Sequence, residues 1–263
     1  MDLGLKDRVA LVAAASRGLG RAVAEELAAE GASLVLCGRD AATLAETTAA
    51  IADQTGAHVL GVPADVTVAA QVKQLVASGI DRFGRIDILV TNAGGPPAGR
   101  FDQLTHEQWE EATRLTLFSA VHLAREVLPG MKARRWGRIL NITSIAVKQP
   151  VENLLLSNSL RAAVTGFART LANEVAADGV TVNNILPGYT RTERLEDLAR
   201  MMAEKQGIRA DEFRGRWEAE IPMGRLGEPR EFAALAAFLV SERASYITGT
   251  SIQIDGGWVR SLL

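Results

Sequence analysis

Residues 9–21 have the sequence VALVAAASRGLGR, and this stretch decides the fold class. Val9 to Val12 form a short apolar run, which is typical of a strand buried on both faces. Small residues with Gly18 and Gly20 follow, and AVAEELAAE then has helical apolar spacing, which predicts a first helix over 22–30. A strand, a glycine turn and a helix indicate a dinucleotide-binding βαβ unit, because the helix N-terminus favours the charge of a pyrophosphate. The alternative is that the glycines only cap an ordinary connection.

The composition excludes several classes of protein. The chain has 263 residues, 48% of them apolar and 23% charged, and its net charge of −2 favours neither nucleic acid nor an anionic membrane as a partner. Cys37 is the only cysteine and the three histidines are far apart, so we predict no metal site. Charged residues precede the first strand and no apolar run approaches the roughly 20 residues of a membrane span, so we expect a cytoplasmic protein.

Predicted strands alternate with predicted helices along the whole chain. This order favours an α/β fold with a parallel sheet that carries helices on both faces, and we expect one domain over residues 1–263. The pattern also predicts a long helix over about 105–131. Residues 191–221 are charged with scattered apolar positions, so they form either a helical lid-like insertion over a pocket or an ordinary surface subdomain.

The end of the second predicted strand, residues 33–37, indicates which dinucleotide binds. In the NAD-binding version of this fold an acidic residue holds the ribose 2′-hydroxyl at about this position, but this chain has Gly38 followed by Arg39. Arg17 lies inside the glycine turn. Two guanidinium groups suit a 2′-phosphate by charge and geometry, so the sequence favours NADP(H) over NAD(H). The alternative is that both arginines are only solvated.

Several short segments occur in a characteristic order. They are AASRGLG at 14–20, Asp65 with Val66, NAG at 92–94, ITS at 142–144, Pro187 with Gly188, and IDGG at 254–257. Over essentially the whole chain this order resembles the short-chain dehydrogenase/reductase family, and within it the 3-oxoacyl-(acyl-carrier-protein) reductases. The resemblance implies a Rossmann-like doubly wound sheet in the order 3-2-1-4-5-6-7, a small-molecule carbonyl or acyl substrate, and a homo-oligomer, either a tetramer or a dimer.

The resemblance also implies a set of cofactor-binding residues. They are Ala14, Ser16, Arg17, Gly18, Leu19, Gly20, Arg39, Asp65, Val66, Asn92, Ala93, Gly94, Arg161, Pro187, Gly188 and Thr192. In the family Asp65 would contact adenine, and Pro187, Gly188 and Thr192 would approach the nicotinamide. The family's first turn usually begins Thr-Gly, whereas this chain has Ala13 and Ala14, and alanine is tolerated there if its φ stays negative.

The catalytic tetrad of the family is Asn, Ser, Tyr and Lys, with the last two four residues apart. Ser144 matches the serine, but Thr116, Ser157 and Arg161 stand at the positions of the asparagine, tyrosine and lysine. A serine hydroxyl reaches roughly 4 Å less far than a phenol and is a much weaker acid. Loss of a positioned proton donor costs roughly 10²- to 10⁴-fold in rate. Arg161 keeps the positive charge of the lysine.

Two other residues are candidate proton donors. Tyr189 lies beside the Pro187 and Gly188 turn, and Lys148 lies four residues beyond Ser144. The alternatives are a packing tyrosine and a solvated lysine. The sequence thus leaves three hypotheses for the function: an NADP(H)-dependent reductase or alcohol dehydrogenase whose proton comes from another group or from water, a non-catalytic dinucleotide-binding sensor or oligomer partner, or different chemistry without hydride transfer.

Overall fold

Seven parallel strands form one sheet in the computed structural model, which describes residues 2–262. The strands are β1 (Val9–Val12), β2 (Ser33–Gly38), β3 (Val59–Pro63), β4 (Ile88–Thr91), β5 (Gly137–Ile142), β6 (Val180–Pro187) and β7 (Ser251–Ile254). Their order is β3-β2-β1-β4-β5-β6-β7, which confirms the predicted topology. The order reverses beside β1, so the carboxyl ends of β1 and β4 flank the crevice where such sheets bind their ligands.

Helices cover both faces of the sheet. They are α1 (Gly18–Ala29), α2 (Ala41–Thr55), α3 (Ala69–Phe83), α4 (His106–Thr113), α5 (Ser119–Arg134), α6 (Leu155–Val175), α7 (Glu193–Gln206), α8 (Ala210–Glu220) and α9 (Pro229–Leu239). Alternate residues of β1 enter opposite cores, because side chains of a strand alternate between its faces. Ala10 and Val12 pack with α1, α2 and α9, whereas Val9 and Leu11 pack with α3, α5 and α6.

Two predicted helices differ from the observed ones. The first helix begins at Gly18 rather than residue 22, so the second half of the glycine turn is already helical. The predicted helix over 105–131 is interrupted, because a π-helical segment, Arg114–Phe118, joins α4 to α5 and α5 continues to Arg134. A π segment holds an extra residue per turn and often occurs at functional sites. Here it carries Thr116, one of the predicted tetrad positions.

Residues 191–221 fold into α7 and α8, which pack on each other around their own apolar cluster. Phe213 and Trp217 of α8 are buried in this cluster, with Ala199 and Ala203 of α7. The start of α7 lies against the glycine turn, where a salt bridge of 3.7 Å joins Glu193 to Arg17. None of the helices within residues 2–262 is long and apolar enough to cross a membrane.

Candidate active site

The glycine turn connects the carboxyl end of β1 to α1. The Ala13 amide donates to the Val90 carbonyl at 3.0 Å, and the Ala15 amide donates to the Cys37 carbonyl at 2.9 Å, so both neighbouring strands hold the turn. A Cβ on Gly20 would overlap the Ala14 carbonyl oxygen. Glycine is therefore required at position 20 by close packing.

Ala14 does not meet the condition expected from the sequence. Its φ is +48°, in the left-handed region, so the negative φ that would make alanine tolerable there is not observed. The neighbouring hydrogen bonds hold this conformation, and the Asn92 side-chain amide also donates to the Ala14 carbonyl at 3.3 Å. For a residue other than glycine, a backbone conformation in this region costs roughly 1–2 kcal/mol of conformational energy. The protein therefore carries backbone strain at the predicted phosphate turn.

We expect Ala14→Gly to raise the free energy of unfolding by about 1 kcal/mol, because glycine adopts a positive φ without steric cost. Urea unfolding followed by circular dichroism measures the change. Ala13→Gly is the matched control, since Ala13 has no positive φ, and glycine there should destabilise by roughly 0.5–1 kcal/mol. A loss of stability in both variants would contradict the assignment of strain to Ala14.

The predicted 2′-phosphate residues lie at the mouth of the crevice. Arg17 and Arg39 are both exposed, and Asp40 follows Arg39 directly. The Asp40 carboxylate caps α2 by accepting from the Thr43 amide at 2.7 Å, and the bonds from Thr43 lower the pKa of Asp40. This carboxylate is therefore committed to the helix cap, and Arg17 at the same mouth pairs with Glu193 at 3.7 Å.

The remaining predicted cofactor residues are distributed along the same edge. A hydrogen bond from the Thr47 hydroxyl to the Ser16 carbonyl, 2.9 Å long, fixes the backbone at Ser16. Asp65 accepts hydrogen bonds from the amide and the hydroxyl of Thr67 at 2.9 and 2.7 Å, so one of its oxygens is engaged in a local turn.

Further predicted cofactor residues lie on α1, beyond the end of β3 and around the end of β6. Three of them are Leu19, which is half-buried in the first turn of α1, Val66, which is buried, and Pro187, which is the last residue of β6. Gly188 donates to the Ile254 carbonyl at 3.0 Å, and Thr192 caps α7 through the Leu195 amide at 3.3 Å.

A small cavity of about 20 Å³ brings several predicted residues together at the ends of β4 and β5. Asn92, Ala93 and Gly94 line it together with Thr116 and Arg161. The volume is sufficient for one water molecule. Within residues 2–262 the buried hydroxyl oxygens of Thr116 and of Thr143, another lining residue, have no hydrogen-bond partner. The cavity therefore presents two unsatisfied polar groups beside the predicted tetrad, and Thr143 is a site residue within the ITS segment to which the sequence assigned no role.

Ser144, Ser157 and Arg161 surround the carboxyl end of β5. The Ser144 hydroxyl oxygen accepts from the Ala146 amide at 3.1 Å, which leaves its own proton free to donate. One turn of α6 separates Ser157 from Arg161, and the Arg161 Nε donates to the Ser157 hydroxyl oxygen at 3.2 Å. These three residues supply two hydroxyl groups and a cation, and none of them is a phenol.

Arg161 is held by the backbone of β5. Its Nη1 donates to the carbonyl oxygens of Ile142 at 3.0 Å and Thr143 at 2.8 Å. Burial, together with the charge of Arg194, lowers the pKa of Arg161 to about 10, so the group stays cationic at neutral pH. A lysine at this position would offer a single ammonium group, whereas the planar guanidinium binds the strand end with one nitrogen and directs the others elsewhere.

The two candidate proton donors differ in their surroundings. The Tyr189 ring stacks on Trp217, with ring centroids 5.2 Å apart, and meets the edge of Trp258 at 5.8 Å. Burial and the Glu220 carboxylate raise the pKa of Tyr189 to about 12, which makes it a weaker acid than a free phenol. These contacts favour the packing alternative for Tyr189. Lys148 is half-buried and ends the 3₁₀ turn Ile145–Val147, so its role stays a prediction.

Arg194 is a residue of the site that the sequence analysis missed. It lies in the first turn of α7, and a Cβ built on Gly95 would overlap its guanidinium group. No periodicity or spacing marks this arginine, because its approach to Gly95 depends on how α7 folds back over the sheet edge. Within residues 2–262 we find no cluster of three or more His, Cys, Asp or Glu side chains that could hold a metal ion.

Comparisons with known proteins find relatives that are similar to this chain in sequence and in fold. A family model described as enoyl-(acyl carrier protein) reductase matches residues 13–259. The 3-oxoacyl-(acyl-carrier-protein) reductase FabG of Vibrio cholerae is 36% identical over 255 residues, which cover 97% of this chain and 98% of that protein. L-sorbose reductase from Gluconobacter frateurii, solved with NADPH and L-sorbose, has a TM-score of 0.96 at 35% identity and covers 100% of both chains. A variant of actinorhodin polyketide ketoreductase, solved with NADPH, has a TM-score of 0.93 at 30% identity and covers 97% of this chain and 98% of that chain.

Proposed function

Because the chain belongs to the short-chain dehydrogenase/reductase family, we propose that it is an NADPH-dependent reductase that acts on a carbonyl/hydroxyl pair. The observation that carries the proposal is the convergence of Arg161 with Asn92 and Gly94 around one cavity at the carboxyl edge of the sheet. Ser144 and Ser157 flank the same strand end through their bonds to Ala146 and Arg161. Similar proteins solved with NADPH support the choice of cofactor.

The residues of the crevice fit a dinucleotide. The amides at the start of α1 face the crevice with the positive end of the helix dipole, which suits a pyrophosphate. A Cβ built on Gly94 meets no atom within 4 Å, so the space beside this backbone is open. Arg17 and Arg39 stand at the exposed mouth, where a 2′-phosphate would complement their charge. When bound, NADPH supplies a hydride for the substrate carbonyl carbon.

The side chains of this site have separate roles in the reaction. The free proton of the Ser144 hydroxyl donates a hydrogen bond to the substrate oxygen, because the Ala146 amide occupies a lone pair of the same hydroxyl. Arg161 supplies positive charge beside this oxygen as negative charge develops there. Ser157 is too short and too weakly acidic to replace the phenol of the family. The proton therefore comes from water or another group, and we expect slow turnover.

A second function follows from the same replacement. With the phenol absent, the chain can be a non-catalytic dinucleotide-binding protein that acts as a sensor or an oligomer partner. For either function we propose a cytoplasmic homo-oligomer, a tetramer or a dimer, in line with the resemblance to the family. The two functions predict the same affinity for NADPH and differ only in turnover.

Two measurements on the purified protein test the proposal. Titration with NADPH and NADH measures whether and how tightly each nucleotide binds. A panel of ketones that includes acetoacetyl thioesters then measures turnover, which separates the two functions. We expect tighter binding of NADPH and carbonyl-dependent oxidation that Ser144→Ala lowers about 10- to 100-fold, the effect of losing one strong hydrogen bond. Ser159→Ala, on the exposed face of α6, is the control. Tight NADPH binding without turnover would favour the non-catalytic function, and no binding of either nucleotide would exclude both.

A further inference from the structure

Arg194 and Arg161 place two guanidinium groups at one side of the crevice. Arg194 lies over Gly95, whose neighbour Gly94 lines the small cavity together with Arg161. Burial lowers the pKa of Arg161, and the charge of Arg194 lowers it further, so the two groups are close enough to repel each other. Burial of part of its side chain also lowers the pKa of Arg194, but the residue as a whole is exposed and therefore accessible to a ligand. Both groups remain cationic at neutral pH.

Neither guanidinium forms a salt bridge with a carboxylate in the part of the chain that the structure describes. The other arginines of α7 and α8 are all paired, Arg200 with Asp197 at 2.6 Å, Arg214 with Glu196 at 2.8 Å and Arg216 with Glu212 at 3.2 Å. The acidic residues in the first turn of α7 are committed elsewhere, because Glu193 pairs with Arg17 and Glu196 pairs with Arg214. Among residues 2–262, no carboxylate therefore forms a salt bridge that compensates the positive charge of Arg194 and Arg161.

An anion bound between these groups would offset their repulsion. Arg161 already uses Nη1 and Nε on the β5 carbonyls and Ser157, which limits its free donors. Arg194 makes no hydrogen bond to another protein group within residues 2–262, so its full planar fork is available. A planar fork of this kind binds two oxygens of a carboxylate or of a phosphate group, and a carboxylate holds both of its oxygens in the plane of the fork.

We infer that the substrate is a keto acid, a carbonyl compound whose carboxylate is bound by Arg194 while Arg161 contributes a second positive charge. The inference rests on the proposed function, since it names the substrate class of the same site. The reacting carbonyl would then lie beside Ser144, and the carboxylate would lie beneath the start of α7. Arg194 acts as a specificity-determining residue in this arrangement.

Pairs of substrates with and without the charge test the inference. Initial rates of NADPH oxidation are measured for short 2-oxo and 3-oxo acids and for their methyl esters, with wild type, Arg194→Met and Arg194→Lys. We expect the wild type to favour the acids in kcat/KM, and Arg194→Met to raise the KM for the acids about 10- to 100-fold while leaving that for the esters unchanged. Arg194→Lys should restore part of the preference. Arg200→Met removes the same charge from an exposed part of α7 and is the matched control.

Three outcomes of the comparison between acids and esters would overturn the inference. One is equal use of acids and esters by the wild type. A second is an equal loss for both substrates in Arg194→Met. The third is weaker NADPH binding in Arg194→Met with an unchanged preference, which would assign Arg194 to a cofactor phosphate. Phosphorylated ketones in the same panel distinguish a general oxyanion site from one shaped for carboxylates, and preference for the phosphorylated ketones would also overturn the keto-acid assignment.

A binding measurement keeps the inference testable if no carbonyl compound is reduced. Calorimetric titration of the NADPH-saturated protein with oxamate, an unreactive keto-acid mimic, should show binding to wild type and Arg200→Met and at least tenfold weaker binding to Arg194→Met. If oxamate binds in this pattern but no carbonyl compound is reduced, the proposed reductase function is wrong and the carboxylate site is still supported. Absence of oxamate binding to the wild type would overturn the carboxylate site itself.

Discussion

Replacing Ser157 with tyrosine and Arg161 with lysine in one variant is expected to raise the kcat of carbonyl reduction by about 10²- to 10⁴-fold. This is the range that a positioned proton donor contributes. The two positions are one turn apart on α6, and the Arg161 Nε already contacts the Ser157 hydroxyl, so a phenol at position 157 would lie beside the cation at 161. A neighbouring positive charge lowers the pKa of a phenol and makes it a better acid.

The full gain needs both substitutions, because Arg161 is tied to the strand end. Its bonds to the Ile142 and Thr143 carbonyls fix the guanidinium there, whereas a lysine has a single flexible donor that can turn towards the crevice. We therefore expect a smaller gain from Ser157→Tyr alone. NADPH oxidation with the ketone panel measures kcat, and calorimetry confirms that the cofactor still binds.

Ser159→Tyr is the matched control for the restored phenol. Ser159 is exposed on the opposite side of α6, so the same substitution there should leave kcat unchanged. If the double variant folds and binds NADPH but reduces carbonyl compounds no faster, the site at α6 is not a carbonyl-reducing site. That result would favour the non-catalytic function.

Removal of the Asp87 carboxylate is expected to lower the free energy of unfolding by about 2–3 kcal/mol, because a buried amide loses its acceptor and two partly exposed guanidinium groups lose their counter-charge. Asp87 is fully buried just before β4. Its carboxylate accepts from the Val9 amide at 3.1 Å and pairs with Arg85 at 2.6 Å, and it faces the Arg134 Nε at 3.5 Å. In Asp87→Ala the amide would lose its partner and two guanidinium groups would lose their counter-charge.

Urea unfolding of Asp87→Ala and of Asp81→Ala tests this expectation. Asp81 is exposed on α3, so its removal should change stability by no more than about 0.5 kcal/mol. Asp87 lies at the amino end of β4, and the predicted cofactor residue Asn92 follows the other end, so the folded fraction of the variant should retain its NADPH affinity. A loss below about 1 kcal/mol would show that Asp87 is not a major support of the sheet.

The fold was largely predictable because its signals are local or ordered along the chain. The buried apolar run Val9–Val12, the glycine turn and the alternation of strands and helices predicted the parallel sheet, and the family resemblance predicted the strand order that is observed. The same periodicity predicted one helix over 105–131. It did not detect the Arg114–Phe118 segment, because one extra residue in a turn shifts an apolar pattern too little to separate π from α geometry.

The site was predictable only in part. The resemblance to the family placed Ser157 and Arg161 at tetrad positions four residues apart, and Arg161 does contact Ser157. Three features of the site were not predictable: the positive φ of Ala14, the hydrogen bonds from Arg161 to the β5 carbonyls, and the position of Arg194 over Gly95. Each depends on a contact between segments that are far apart in the chain.

The sequence by itself determined the doubly wound sheet and the absence of a Tyr–Lys pair, because periodicity, motif order and the residues at two positions are properties of the chain alone. The tertiary structure decided where the charges of the crevice lie and which of them are paired. Glu193 and Glu196 are near Arg194 in sequence, yet folding commits them to Arg17 and Arg214. Pairing of charges depends on distances in space, and only the packing of α7 against the sheet edge fixes those distances.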